Sequence, residues 1–167
     1  MIEFKPGQIF CTQNPQELGE LINFVQKIKA SNSKSEYTHV GIIKSYKGHT
    51  FESAKRIGEY YISQYYGARI LIGQHDRMDM RSYLRGYTGI QKFDGHKYPF
   101  HRLLLHLIPG GAKFINSGKF PECSALVDIF LRNAGIIDEH KGRTPDNIAD
   151  MIRLWKGWSI IFEGVLI

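Results

Sequence analysis

Apolar residues recur along this chain with two different periods, and the changes of period divide it into elements. Between Lys119 and Gly135, Leu126, Val127, Phe130, Leu131 and Ala134 fall three and four apart, the spacing of one helix face. Pro121 suits the first turn of that helix and Gly135 its C-terminal stop. Asn14-Pro15, with Glu17, predicts another helix running to about Ala30, its apolar face formed by Leu18, Leu21, Ile22, Val25 and Ile28. Met80 to Leu84 and Pro99 to Leu107 have the same period, and Thr144-Pro145 opens a last helix with Ile148, Met151, Ile152 and Trp155 on one side.

The remaining apolar runs read as strands. Gln8 to Cys11 is short, Tyr37 to Ser45 is longer, and a Lys47-Gly48 turn connects the latter to His49 to Ala54. Gly58 to Ser63, Ala68 to Gly73 and Trp158 to Ile167 extend the set. Ala30 to Ser35 is a polar connector into the second strand, and Pro109-Gly-Gly111 is a turn with neither the lysine nor the spacing of a phosphate-binding loop. The order predicts an α+β fold, an antiparallel sheet packed against helices, in a single domain over residues 1–167.

Composition narrows the class. A chain of 167 residues with 43% hydrophobic and 13% aromatic content can bury a sizeable core. No run approaches the ~20 apolar residues of a membrane-spanning helix, and the N-terminus lacks the basic-then-apolar plan of a signal peptide. The expectation is a cytoplasmic protein, with export by a non-classical route left open. The net charge of +6 arises from 22 basic and 16 acidic residues that are scattered rather than blocked. Lys27, Lys29 and Lys34, then Arg77, Arg81 and Arg85, then Lys141 with Arg143 read as solvated surface. No nucleic-acid-binding signature accompanies the charge, so no specific nucleic-acid partner is expected, although the surplus suits peripheral contact with an anionic surface.

The chemistry lies in few residues. Of the two cysteines, Cys11 ends an apolar strand and reads as a core thiol, and no disulfide framework is present. Cys123 stands at the start of its helix, where unpaired amides and the helix dipole favour the thiolate. A buried cysteine is more often structural than catalytic, so a partner decides the matter. His39 lies on the second strand and Glu52 on the third, and a hairpin brings such a pair together, letting a carboxylate orient an imidazole. Cys123 as nucleophile, His39 as base and Glu52 as orienting group make a complete set, with the Cys123 amide as oxyanion donor. Glu122 adjoins the nucleophile, but its charge also suits a helix start, and Glu52 ranks ahead of it. His75, His96, His101 and His106 have no metal-ligand spacing; neither a metal nor another cofactor is expected. Tyr60, Tyr61 and Tyr65 fit a groove or a packed sheet equally well and receive no role.

These residues resemble the circularly permuted papain-like cysteine hydrolases related to NlpC peptidases and lecithin:retinol acyltransferase, particularly the YiiX-like branch. The resemblance rests on Lys5-Pro-Gly-Gln-Ile-Phe10, Thr38-His-Val-Gly-Ile42, Phe51-Glu-Ser-Ala54, Glu122-Cys-Ser-Ala-Leu-Val127 and Thr144-Pro-Asp-Asn147, in the permuted order of histidine strand before cysteine helix. Gln8 replaces the usual Asp of the opening strand, and Ala125 stands where YiiX-like members have Glu. The resemblance implies a permuted papain-like fold and a thiol hydrolase acting on an amide, ester or thioester carbonyl. Amide cleavage, in a peptide or isopeptide, is the leading reading. Lipid-directed acyl hydrolysis or transfer is the alternative, so the substrate is expected to be peptide, cell-wall or lipid-like. A non-catalytic ligand-binding module of the same fold is the rival of another class, and a basic nucleic-acid binder is a third.

Overall fold

A computed structural model describes residues 2–13, 36–97, 121–139 and 142–167. The expected helices over Asn14 to Ala30 and Pro99 to Leu107, the connector over Ala30 to Ser35, the turn at Pro109 to Gly111, and His101 and His106 lie outside the described residues.

Six strands form one antiparallel sheet: β1 (Ile9–Thr12), β2 (His39–Ile43), β3 (His49–Ser53), β4 (Ile57–Tyr61), β5 (Arg69–His75) and β6 (Trp158–Val165), in the order β4-β3-β2-β1-β5-β6. Three helices accompany it among the described residues: α1 (Met80–Gln91), α2 (Cys123–Ala134) and α3 (Pro145–Leu154). Because side chains alternate across a strand, the sheet has two apolar faces. Ile9, Cys11, Val40, Ile42, Phe51 and Leu71 face the helices and pack with Leu126, Val127, Phe130, Leu131, Ile148, Met151 and Ile152. On the outer face Phe10, Ile43, Ile70 and Ile72 form a smaller cluster with Ile62, Tyr65 and Leu166. The central strands are buried on both sides, which explains their near-continuous apolar runs.

Local chemistry accounts for the helix limits. Leu126, Val127, Phe130, Leu131 and Ala134 of α2 are all buried as their spacing requires, and Gly135 ends the helix at φ 78°. Pro121 is not in the first turn: Glu122 is the N-cap and Cys123 the first helical residue. Thr144 caps α3 through a reciprocal pair with Asn147, each bond 3.2 Å long, with Pro145 following as expected. Trp155 falls just past α3 and is 48% exposed rather than part of its buried side.

Three further differences have physical causes. Helix α1 runs beyond Leu84 to Gln91 despite Gly86 and Gly89, because packing against α2 outweighs their weak helix propensity. Strand β4 stops at Tyr61, and a turn of 3-10 helix over Ile62–Tyr65 buries Ile62 and Tyr65 against the outer face. Arg143 is buried instead of solvated and bonds Asp128 of α2 at 2.8 Å, while Arg77 and Arg85 donate to the carbonyls of Ile136 and Ala134. Several of the basic residues therefore hold the helices together.

Candidate active site

Cys123, His39 and Glu52 come from the start of α2, the start of β2 and the middle of β3, and they meet. His39 Nε2 lies 2.8 Å from Glu52 Oε2, and Cys123 stands near enough to raise the affinity of the imidazole for its proton. With Nε2 committed to the carboxylate, Nδ1 is the ring nitrogen left for the sulfur. The arrangement is nearly enclosed: Cys123 is 4% exposed, His39 1% and Glu52 0%.

The hairpin register explains how the pair forms. Gly41, not His39, stands opposite Glu52, so the carboxylate must lean along the strand to reach the imidazole two residues away on the same face. Gly41 makes that path open. A Cβ at this position would lie 2.8 Å from Glu52 Cγ and 2.6 Å from the Phe10 ring, closer than packed atoms approach. His39 itself stands where the two faces of the sheet meet. Its ring centroid is 6.1 Å from that of Phe10 and 5.8 Å from that of Tyr65 in the outer cluster, while Cys123 belongs to the helix-side core.

The cysteine helix is tied to the same hairpin. Ser53 Oγ donates to the Pro121 carbonyl at 2.9 Å, fixing the segment that enters α2 one residue beyond Glu52. The first intrahelical bond runs from the Leu126 amide to the Glu122 carbonyl at 2.8 Å. The amides of Cys123, Ser124 and Ala125 precede it, at the positive end of the helix dipole. Glu122 contributes the cap residue, and Glu52 is the carboxylate on the imidazole.

Electrostatics follow from burial and contact. Burial alone would drive the proton from His39, but hydrogen bonds and charge from Cys123 and Glu52 outweigh it, and its pKa is pushed up to about 10. Burial pushes the Cys11 thiol well above the ordinary cysteine value, with the Asp146 charge adding to it; Cys11 is 0% exposed in β1 and makes an inert core thiol. Gln8 is also structural: its Oε1 accepts from the Lys5 amide at 2.9 Å and closes the turn before β1. Ala125 is half-buried on α2.

Sequence reasoning left out the other residues that hold Glu52. Tyr65 donates to Oε2 at 2.5 Å, Gln64 Nε2 donates to Oε1 at 3.2 Å, and the Thr50 hydroxyl donates to Oε1. Thr50 was detectable in principle, since residues two apart on a strand share a face. Gln64 and Tyr65 depend on the 3-10 turn that follows β4, whose first two residues, Ile62 and Ser63, read as the end of a strand. His75 and His96 take no part: the first accepts from the Arg77 amide and packs edge-on to Trp158, and the second pairs with the Phe93 carbonyl at 2.8 Å.

No family model matches the sequence, and no curated protein matches it. The fold does have a solved relative. The metalloprotein YiiX from Escherichia coli O157:H7 superposes with a TM-score of 0.64 at 11% identity, covering 98% of this chain and 99% of that one. The fold is YiiX-like over the whole length.

Proposed function

We propose, from a YiiX-like fold that joins a cysteine, a histidine and a glutamate, that this chain is a thiol hydrolase forming an acyl-enzyme on Cys123. The observation that carries the proposal is the buried His39–Glu52 pair at 2.8 Å with Cys123, the first residue of α2, acting on the same imidazole. In this reading the fold is a permuted papain-like one, with the histidine strand ahead of the cysteine helix.

The chemistry runs as acyl transfer. His39 Nδ1 takes the Sγ proton, and the imidazolium stays on Glu52 through Nε2. The sulfur attacks a carbonyl carbon, and the oxyanion draws on the Cys123 amide at the helix start. Collapse breaks the bond to the leaving group, which takes its proton from His39. Water then attacks the thioester, gives a proton back to His39, and releases the acid as sulfur regains its charge. An amide in a peptide or isopeptide is the preferred substrate class; a lipid ester or thioester, or an acceptor other than water, is the alternative.

The solved relative is described as a metalloprotein. In this chain Nε2 of His39 is held by Glu52 at 2.8 Å. Among the described residues, no three His, Cys, Asp or Glu side chains gather into a metal-binding group. As they are paired here, His39 and Glu52 do not fit a metal centre, and no step here passes through one.

Alkylation with iodoacetamide near neutral pH, read by peptide mass spectrometry, tests the proposal. Cys123 should label at least ~100-fold faster than Cys11, and His39→Ala should remove most of that advantage, in line with the weight of a positioned base. Equal labelling of both cysteines would favour a ligand-binding module instead.

A further inference from the structure

We infer that Tyr65 is a positioning residue for the His39 imidazole, acting through the Glu52 carboxylate from the opposite side of the sheet. The inference rests on the hydrolase reading for its purpose and on separate geometry for its content.

Glu52 Oε2 carries two donors at once, His39 Nε2 at 2.8 Å and the Tyr65 hydroxyl at 2.5 Å. Its other oxygen takes Thr50 and Gln64. All four donors come from different backbone positions, so the carboxylate cannot rotate without losing a bond. The Tyr65 ring also packs beside the imidazole, with centroids 5.8 Å apart, and beside Phe10 at 5.6 Å. Tyr65 thus fixes both the direction of the carboxylate and the plane of the ring it orients.

The shared oxygen gives the arrangement a chemical consequence. A hydroxyl donating to Oε2 disperses the charge that holds the His39 proton, so a stronger donor releases that proton at lower pH and a missing donor at higher pH. Burial first, and then the Glu52 charge, keep the Tyr65 phenol far from ionising, so it acts as a donor throughout. The titratable groups facing the pair are Cys123 from α2 and Tyr65 from the turn, with Tyr60 of β4 acting on Tyr65 through charge.

Two variants of the full chain test this. Tyr65→Phe keeps the ring and removes the donor; 3-fluorotyrosine at position 65 keeps the shape and strengthens it. NMR titration of His39 should move to higher pH in the first and to lower pH in the second. Alkylation of Cys123 by iodoacetamide at pH 7.5 should not slow in Tyr65→Phe, because a His39 that holds its proton more firmly keeps the sulfur as the thiolate. Combined with Glu52→Gln, Tyr65→Phe should have little further effect, because the tyrosine works through the carboxylate. An unmoved His39 titration in both variants would overturn the role of Tyr65. Slow labelling of Cys123 in the unaltered chain would count against the hydrolase reading instead, and the two signals are independent.

Discussion

Two carboxylates in this molecule each gather several donors, and they do so in opposite surroundings. Glu52 is fully enclosed and holds His39, Tyr65, Thr50 and Gln64. Glu163 of β6, 26% exposed, holds Arg153, Arg69 at 3.2 Å and Tyr37 at 3.3 Å, and Arg153 also forks onto Glu36 at 2.8 and 3.0 Å. The surface group has permanent cations; the buried one, among the described residues, has only an imidazole that must be protonated to match it. A buried charge whose single cationic partner can titrate is an expensive way to stabilise a sheet. The same arrangement suits a site where a proton is to be moved, whereas the surface cluster needs no function beyond joining β5, β6 and α3 to the segment ahead of β2.

The comparison breaks most visibly at Glu52. Glu52→Leu leaves His39 with no carboxylate and strips Tyr65, Thr50 and Gln64 of their acceptor, so urea unfolding should show a loss of about 3–5 kcal/mol. Glu52→Gln keeps the shape and should cost less, about 1–3 kcal/mol, while slowing Cys123 alkylation less than His39→Ala does. A Glu52→Leu variant as stable as the parent would remove the distinction between the two carboxylates.

Acid and base should separate them next. The His39 pKa is raised, so its contribution to stability is complete below the unfolded value near 6.5 and is lost as pH rises through about 10. The Arg153 guanidinium holds the Glu163 carboxyl below its ordinary value, so its contribution is present above the unfolded pKa and is lost as pH falls through the folded one. Melting curves should therefore lose stability above neutral pH in a way that His39→Ala abolishes and Glu163→Gln does not. An alkaline loss that survives His39→Ala would assign it to another group.

Much of this difference was legible in the sequence, and what was missed has a common cause. Cys123 was placed by the period of Leu126, Val127, Phe130 and Leu131, and His39 and Glu52 by a hairpin with Lys47-Gly48 at its turn. Local patterns sufficed because each element is short and strongly apolar. Tyr65 and Gln64 escaped because the strand that begins at Ile57 bends into a 3-10 turn at Ile62, a change imposed by packing on the outer face rather than by any breaker residue. Arg143 escaped for the same reason: its partner Asp128 lies on the buried side of α2, where a helical period alone predicts only apolar residues. The exact path of Glu52 across Gly41 needed the register, which a hairpin motif brackets without fixing.

The smallest effect should be at Glu163. Its partners reach solvent, since the Arg69 side chain is 49% exposed and that of Arg153 24% exposed. Water solvates the arginines when the carboxylate is gone, and Glu36 still accepts from both of them. Glu163→Gln should then cost no more than about 1 kcal/mol, the range of exposed ion pairs. The cost should shrink further in high salt, because at 1 M the Debye length is only about 3 Å and exposed charges are screened. Glu52→Gln should show no such salt dependence, its neighbours being enclosed. Urea unfolding of both variants at low and high salt checks the pair of outcomes. A Glu163→Gln loss above 2 kcal/mol that salt leaves unchanged would mean that the surface cluster is as shielded as the buried one, and that exposure does not divide the two carboxylates.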